Sequence, residues 1–324
     1  MSAQAPAQRL GFGGSVLGGD LPLEHQRALV EAAFDSGFRY FDVAPSYGNG
    51  NAERVLGEVL QSVRAEVSIA TKVGIRHPVH AGQVSLARRV LRPLKAMAPG
   101  LWQRAARSVR RAAAARARFA PAEVSATIEE SLRRLSTDRI DVLLLHEARP
   151  EDVGPELLEL LRAVQREGRV GSFGLGTSVE ASLALLHAHP GCFDTVQVDH
   201  YWGALTPWPT PVPGQVVTHR CIRNGLELVR HRALLREVRE HRVGAELARV
   251  LQDAEAAPHL LLRAATLMPA TSRTLVSSTQ VRRLREFVRA AADSSLDREA
   301  IAFNECLSRV AAPGLTYPNM LDRT

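Results

Sequence analysis

The sequence alternates short apolar runs with segments of helical periodicity, and this alternation constrains the fold more than any other feature. About eight such units follow one another, from the glycine-rich run near Leu10 to the run 273–276 and a last predicted helix over 281–291. Strands that alternate with helices are typical of a parallel sheet, and eight units favour an α/β sheet closed into a (β/α)8 TIM barrel. No linker divides the chain, so we expect residues 1–324 to form a single domain.

The alternation is interrupted once, by a long basic excursion over about residues 74–120, after the third strand. No acidic residue occurs between Glu66 and Glu123. Six arginines cluster near the end of the excursion: Arg104, Arg107, Arg110, Arg111, Arg116 and Arg118. Two interpretations stay open. The excursion is either a solvated, alanine-rich helix that covers the barrel or a lid that recognises an acidic substrate or carrier, since long loops in compact domains are commonly lids.

The composition fits a globular protein with ample material for a core. Of the 324 residues, 45% are hydrophobic and 23% are charged, which is ordinary for such chains. No stretch approaches the ~20 apolar residues of a membrane helix, and the amino terminus lacks the pattern of a secretory signal. The three cysteines have no CxxC spacing, which favours reduced thiols. We therefore expect a cytoplasmic protein without a membrane partner.

Three of the predicted strands end at an ionisable residue. The run 38–42 ends at Asp42, the run 67–71 is followed by Lys72, and the run 140–145 is followed by His146. Because the carboxyl ends of parallel barrel strands meet at one mouth, we expect these side chains to converge there. Tyr47 lies in the turn that leaves the first of these strands and adds a phenol to the group.

Each of these residues also has an ordinary structural interpretation when it is taken alone. A strand-end aspartate is often a cap, and a tyrosine in such a turn is usually a packing residue. The lysine and the histidine could be an exposed strand end and a core residue. The four together, in this order, favour a functional site. No metal site is predicted, because His77 and His80 are separated by Pro78.

Three motifs of the chain resemble those of the aldo-keto reductase family. Residues 38–53, FRYFDVAPSYGNGNAE, are close to the family signature around its aspartate and tyrosine. Residues 130–146 resemble the helix and strand that deliver the family's histidine, and residues 167–176 resemble its fifth strand. The resemblance extends over about residues 9–293. It implies a catalytic tetrad of Asp42, Tyr47, Lys72 and His146.

The resemblance implies reduction of small aldehydes and ketones, or oxidation of alcohols, with NADP(H). A hydride that arrives at a carbonyl carbon leaves charge on the oxygen, so a proton donor must stand within hydrogen-bond reach. A phenol has a pKa of about 10, and a neighbouring cation stabilises the phenolate. Tyr47 would be the general acid and base, and Lys72 would supply the cation. Asp42 would keep the lysine charged, while His146 would orient the carbonyl.

The family's positions around the nicotinamide are matched in part. Gln197 fits the amide that bonds the carboxamide, and His219 stands where an aromatic ring often stacks. After the fifth strand, the usual Ser-Asn pair is replaced by Gly176 and Thr177, so that Thr177 or Ser178 would contribute a side chain.

The segment after the last strand resembles the family's phosphate loop. Ser277 and Ser278 precede a helix whose amino terminus can accept an anion, and Arg283 falls where an arginine often meets the 2′-phosphate. Ser277 stands in place of a common lysine. NADPH is therefore the expected cofactor, with NADH also possible.

Two other functional classes compete with a carbonyl reductase or alcohol dehydrogenase. One is a cofactor-binding regulatory protein of the same fold with little turnover, like the potassium-channel β subunits. The intact tetrad favours the enzyme. The other class, a protein that binds nucleic acid or a membrane surface through the basic excursion, lacks interleaved aromatic residues and any nucleic-acid motif. The substrate, the direction of the reaction and the oligomeric state are left open by the sequence.

If the excursion is a lid, replacing Arg104, Arg107 and Arg110 with glutamine raises KM for an anionic carbonyl substrate and flattens its dependence on salt. A basic segment at the mouth concentrates anions, and ions screen that attraction beyond ~8 Å at physiological ionic strength. Steady-state kinetics at several salt concentrations measures both effects. A neutral aldehyde is the control, and an equal response of both substrates would show that the excursion is structural cover.

Overall fold

The computed structural model of the chain describes residues 6–19, 21–75, 119–200, 202, 214–268 and 271–310. Almost all of the excursion predicted over 74–120 lies outside these ranges. Its proposed role as a lid or a covering helix therefore stays a prediction.

Eight parallel strands form a closed barrel in which neighbouring strands follow the order of the chain. The strands are β1 (Leu10–Gly13), β2 (Tyr40–Asp42), β3 (Ser68–Val73), β4 (Ile140–His146), β5 (Val170–Gly176), β6 (Thr195–Asp199), β7 (Gln215–His219) and β8 (Arg273–Val276). The predicted (β/α)8 barrel is confirmed.

Helices occupy the segments between the strands. The α-helices of the described ranges are α1 (Leu23–Asp35), α2 (Asn51–Leu60), α3 (Pro121–Arg134), α4 (Pro155–Arg166), α5 (Val179–Ala188), α6 (Cys221–Leu228), α7 (Arg232–Glu240), α8 (Gly244–Gln252), α9 (Ala256–Leu267), α10 (Val281–Ala292) and α11 (Asp297–Val310). Short 3₁₀ turns cover Pro6–Arg9, Gly14–Gly18, Gln61–Glu66, Pro150–Asp152 and Ser294–Leu296. None of the helices in the described ranges combines the length and apolar character needed to cross a membrane.

The prediction that the helix over 281–291 is the last one is wrong, because α11 follows it. Its buried side chains include Phe303, Cys306 and Leu307, which recur at the spacing of one helical face. Phe303 packs edge-on against Trp202, with 5.3 Å between the ring centroids. The helix is therefore held by tertiary packing of an apolar face.

The described chain divides into two compact units. Unit 1 consists of Met1–Gly13, Glu31–Tyr40 and Val196–Thr324, and unit 2 consists of Gly14–Val30 and Phe41–Thr195. A single domain over residues 1–324 stays a prediction.

Within unit 2, the register of the parallel strands places two predicted site residues at the same edge of the sheet. Lys72 of β3 pairs with Leu144 of β4, and His146 pairs with Gly176 of β5. His146 therefore lies two residues beyond the partner of Lys72, towards the carboxyl ends of the strands. The β4 residues 143–145 are fully buried, so the strand is fixed by its core contacts.

Within unit 1, the first strand pairs with the last one. Leu10 of β1 lies opposite Thr274 of β8, and the Ser277 hydroxyl donates a hydrogen bond to the carbonyl of Gly13 at 2.8 Å. Arg9 donates to the carbonyl of Thr271 at 2.9 Å. These bonds join segments that are far apart in the chain, so unit 1 is completed only by its last strand.

Candidate active site

A buried ion pair joins the ends of two neighbouring strands of unit 2. The Nζ of Lys72 lies 2.5 Å from Oδ1 of Asp42 and donates a second hydrogen bond to the carbonyl of Val43 at 3.0 Å. The amide of Val43 in turn donates to the carbonyl of Ala70 at 2.8 Å. Both charged side chains are buried, with relative exposures of 3% for Lys72 and 5% for Asp42. The ammonium is thus held at a defined point beyond β2 and β3.

The surroundings of Lys72 keep it charged in spite of its burial. Burial by itself lowers the pKa of Lys72, but the charges of Asp42 and Tyr47 and hydrogen bonds to both side chains together raise this pKa above its usual value. Opposite charge and hydrogen bonding favour the charged form, so the ammonium is favoured beside the Tyr47 phenol in spite of its burial. Its Nζ lies 5.3 Å from the centre of the Tyr47 ring.

The turn that carries Tyr47 has a backbone that only certain residues adopt. Gly48, Asn49 and Gly50 follow one another with φ of 61°, 59° and 81°. Glycine adopts this left-handed region without strain, and asparagine tolerates it better than most residues. The Tyr47 carbonyl then accepts a hydrogen bond from the amide of Ala52 at 3.3 Å. The Gly-Asn-Gly sequence therefore turns the chain directly from Tyr47 into α2.

A close contact between two backbone segments supports this turn. A Cβ atom on Gly18 would lie 2.3 Å from the amide nitrogen of Gly48 and 2.6 Å from the carbonyl carbon of Tyr47. No side chain fits at either glycine. The turn is thus packed against the segment that precedes α1, which limits the positions open to Tyr47.

The structure places the other predicted residues of unit 2 at the same strand ends. His146 is the last residue of β4 and is half-buried. The next residue, Glu147, has a left-handed φ of 58°, and its amide donates to the carbonyl of Gly176 at 3.0 Å. Thr177 follows β5 and is half-buried. Ser178 caps α5, because its hydroxyl accepts a hydrogen bond from the amide of Ala181 at 3.2 Å.

The structure therefore brings Lys72 into contact with both Asp42 and Tyr47. His146 lies at the same edge of the sheet, one residue beyond Leu145, which pairs with Val73 at the end of β3. The described ranges contain no group of three or more histidine, cysteine, aspartate or glutamate residues that could hold a metal ion.

The remaining predicted residues lie in unit 1. Gln197 is buried within β6, and Ser278 is buried just beyond β8, where its hydroxyl accepts a hydrogen bond from the Gln280 amide at 3.0 Å. Ser277 is bonded to β1 as described above. Arg283 is exposed in the first turn of α10, a turn that contains no acidic residue.

His219, the last residue of β7, has a partner that sequence reasoning missed. Its Nδ1 lies 2.8 Å from Oδ1 of Asp199, the last residue of β6. Nη1 of Arg220 lies 3.0 Å from both oxygens of the same carboxylate. Burial by itself raises the pKa of Asp199, but the hydrogen bond from His219 and the charges of His219 and Arg220 together hold it below its usual range. The sequence contains one signal for this pair, because Asp199 and His219 are the last residues of two consecutive strands.

A family model described as "Aldo/keto reductase family" matches residues 9–234 of the chain. A D-threo-aldose 1-dehydrogenase from Pseudomonas sp is 34% identical over 182 residues, which is 54% of this chain and 51% of that protein. A pyridoxal 4-dehydrogenase from Microbacterium luteolum is 46% identical over 68 residues, which is 20% of each protein. The chain thus spans about half or less of the length of these curated relatives.

A solved structure with the same fold is that of an aldo-keto reductase from Klebsiella pneumoniae in complex with NADPH. The two chains are 20% identical, their superposition covers 90% of each chain, and the TM-score is 0.61. A likeness at this identity shows the fold.

The buried pair gives a test of the site by stability. We expect Asp42→Asn to lower the free energy of unfolding at pH 7 by about 3–5 kcal/mol, the usual cost of leaving one charge of a buried pair without its partner. The pKa of Lys72 is raised in the folded protein, so the stabilisation is complete below the unfolded value of 10.5 and is lost as the pH rises through the folded value. Urea unfolding at pH 7 and in alkaline solution measures both effects.

The control is the double variant Asp42→Asn/Lys72→Met, which removes both charges and should recover part of the loss. Equal unfolding free energies for the protein and Asp42→Asn at pH 7 would contradict the assignment of a charged, paired lysine.

Proposed function

The chain belongs to the aldo/keto reductase family, and we propose that it transfers a hydride between NADP(H) and a small carbonyl or alcohol substrate. The observation that carries this proposal is the contact of the buried Lys72 with both Asp42 and Tyr47. A cation beside a phenol stabilises the phenolate that remains after the phenol has given its proton to a carbonyl oxygen. The names of the curated relatives, among them two dehydrogenases, support a general oxidoreductase.

These contacts support the following acid–base step. The hydroxyl of Tyr47 gives its proton to the carbonyl oxygen as charge develops there. The ammonium of Lys72 stabilises the phenolate that remains, and Asp42 balances the lysine charge. His146, at the end of β4, orients the carbonyl by a hydrogen bond. A bound nicotinamide would supply the hydride for the carbonyl carbon, and in alcohol oxidation each transfer would be reversed.

The residues of unit 1 fit a phosphorylated nucleotide by their chemistry. Ser277 and Ser278 precede α10, and its first turn carries Arg283 but no acidic side chain. A helix amino terminus and a guanidinium both favour phosphate. The amide of Gln197 offers a donor and an acceptor for the nicotinamide carboxamide, and the imidazole of His219 offers a flat ring whose orientation is fixed by Asp199. In unit 2, Thr177 offers a hydroxyl directly after β5.

We expect Tyr47→Phe to lower carbonyl reduction by about 10² or more, the scale of removing a general acid, while NADPH binding is retained. The assay follows NADPH consumption with a panel of aldehydes and ketones, and fluorescence titration follows binding. Tyr40→Phe is a matched control, because it removes a phenolic hydroxyl from a buried position of β2 and should keep turnover. Turnover by Tyr47→Phe at the rate of the unchanged protein would refute the assignment. A protein that binds NADPH yet reduces no member of the panel would favour the cofactor-binding regulatory function.

We expect NADPH to bind more tightly than NADH, and Arg283→Ala to remove most of this preference. A hydrogen bond to a charged group contributes about 1.5–3 kcal/mol, so NADPH affinity should fall by roughly tenfold to a hundredfold, with NADH affinity unchanged. Arg282→Ala is the matched control, since the adjacent Arg282 is already paired with Glu286 at 3.3 Å. Equal affinities for the two cofactors that Arg283→Ala leaves unchanged would reject this role.

A further inference from the structure

A second buried carboxylate of unit 2, that of Glu53, lies against β3, the strand that carries Lys72. Glu53 has a side-chain exposure of 0%, and its Oε2 lies 3.4 Å from Nη1 of Arg134. Its Oε1 accepts a hydrogen bond from the hydroxyl of Thr71 at 2.8 Å. A buried charge is retained in a protein only when it is paired and hydrogen-bonded. Glu53 meets this condition, because one of its oxygens is paired with Arg134 and the other accepts the hydrogen bond from Thr71.

The position of Glu53 in the chain connects two parts of the candidate site. Glu53 lies in the first turn of α2, which begins at Asn51 immediately after the left-handed turn that carries Tyr47. Its partner Thr71 directly precedes Lys72 on β3. Successive side chains of a strand point to opposite faces, so Thr71 faces Glu53 while Lys72 faces Asp42. One hydrogen bond thus ties the exit of the Tyr47 turn to the strand that holds the lysine.

The guanidinium of Arg134 extends this tie to the turn itself. A Cβ atom on Gly50 would lie 2.5 Å from both Cζ and Nε of Arg134, so the guanidinium packs directly against the backbone of the turn. Arg134 is held from the other side by Glu130, with 2.9 Å between Nε and Oε1. The position of Gly50 is therefore set by an arginine that Glu53 helps to fix.

The opposite side of the turn is held by separate bonds. The side-chain amide of Asn51 donates to Oε1 of Gln26 at 2.9 Å and to the carbonyl of Leu17 at 3.3 Å. The contact between Gly18 and Gly48 lies on this side as well. Contacts on both sides therefore hold the turn that carries Tyr47. On one side, the charged contact is the one between Glu53 and Arg134.

We propose that Glu53 is a positioning residue for Tyr47, acting through Thr71 and Arg134. It sets where the phenol lies relative to the ammonium of Lys72, and it does not touch the substrate. This inference rests on the proposed function for its catalytic readout, since Tyr47 matters to turnover only if Tyr47 transfers the proton. A displacement of about 1 Å in a reacting group can lower a rate by ~10²-fold. Loss of the contacts that hold the turn carrying Tyr47 should therefore lower kcat.

The test compares Glu53→Ala and Glu53→Gln with the unchanged protein. Glu53→Ala removes both bonds and should lower kcat by about tenfold to a hundredfold, with the dissociation constant of NADPH unchanged. Glu53→Gln keeps an oxygen for the Thr71 hydroxyl and should recover part of kcat. Arg134→Gln should resemble Glu53→Gln, and these two variants serve if Glu53→Ala does not fold.

Asp141 provides a matched control in the same unit. It is 13% exposed and is paired with Arg64 at 2.7 Å, and it accepts a hydrogen bond from the amide of Ile69 at 2.8 Å. These bonds lie at the amino ends of β3 and β4, opposite to Lys72 and His146. Asp141→Ala should therefore lower the unfolding midpoint as Glu53→Ala does, but leave kcat within about twofold of the unchanged protein.

Amide hydrogen exchange over residues 44–50 gives a readout that needs no catalysis. Exchange there should become faster in Glu53→Ala than in Asp141→Ala, because only the first variant loosens the Tyr47 turn. Equal losses of kcat and equal exchange in the two variants would overturn the inference and leave Glu53 as a structural ion pair. If the unchanged protein reduces no carbonyl, the proposed function fails, and the exchange comparison alone decides whether Glu53 holds the turn.

Discussion

The buried pair of Lys72 and Asp42 is the interaction on which the rest of the candidate site depends. Removing two charges from water costs several kcal/mol per ion, and only good geometry and further hydrogen bonds compensate for this cost. Here the compensation comes from the Val43 carbonyl and from Tyr47. The pair forms where β2 and β3 lie side by side in the barrel. The parallel barrel therefore brings a cation and its counterion together at neighbouring strand ends, and the turn after β2 adds a phenol.

Much of this arrangement could be predicted because its signals are local in the sequence. Each strand is a short apolar run that ends at a polar residue, and its neighbour in the barrel is the next strand in the chain. The end of one strand therefore predicts the surroundings of the next. The Gly-Asn-Gly sequence after Tyr47 likewise indicates a left-handed turn, because few other residues adopt that backbone. The contacts among Asp42, Tyr47 and Lys72 follow from these patterns.

Other features depend on pairings that no periodicity reveals. The bond between Glu53 and Thr71 joins a helix to a strand whose polar residues give no indication of their partner. The pair of His219 and Asp199 requires two strand ends to be aligned in register to within one residue. Helix α11 differs from these, because Phe303, Cys306 and Leu307 recur at helical spacing and are a local signal for it. Only its packing against distant residues such as Trp202 depends on tertiary contact.

The pairing of the first strand with the last has a consequence for synthesis on the ribosome. The register Leu10 to Thr274 and the bond from Ser277 to Gly13, 264 residues apart in sequence, mean that one edge of β1 has no partner until nearly the whole chain has emerged. An open strand edge is a template for pairing with other chains, and contacts of such long range form slowly. The edge of β1 that β8 covers in the folded barrel therefore stays open to such pairing until β8 has been synthesised.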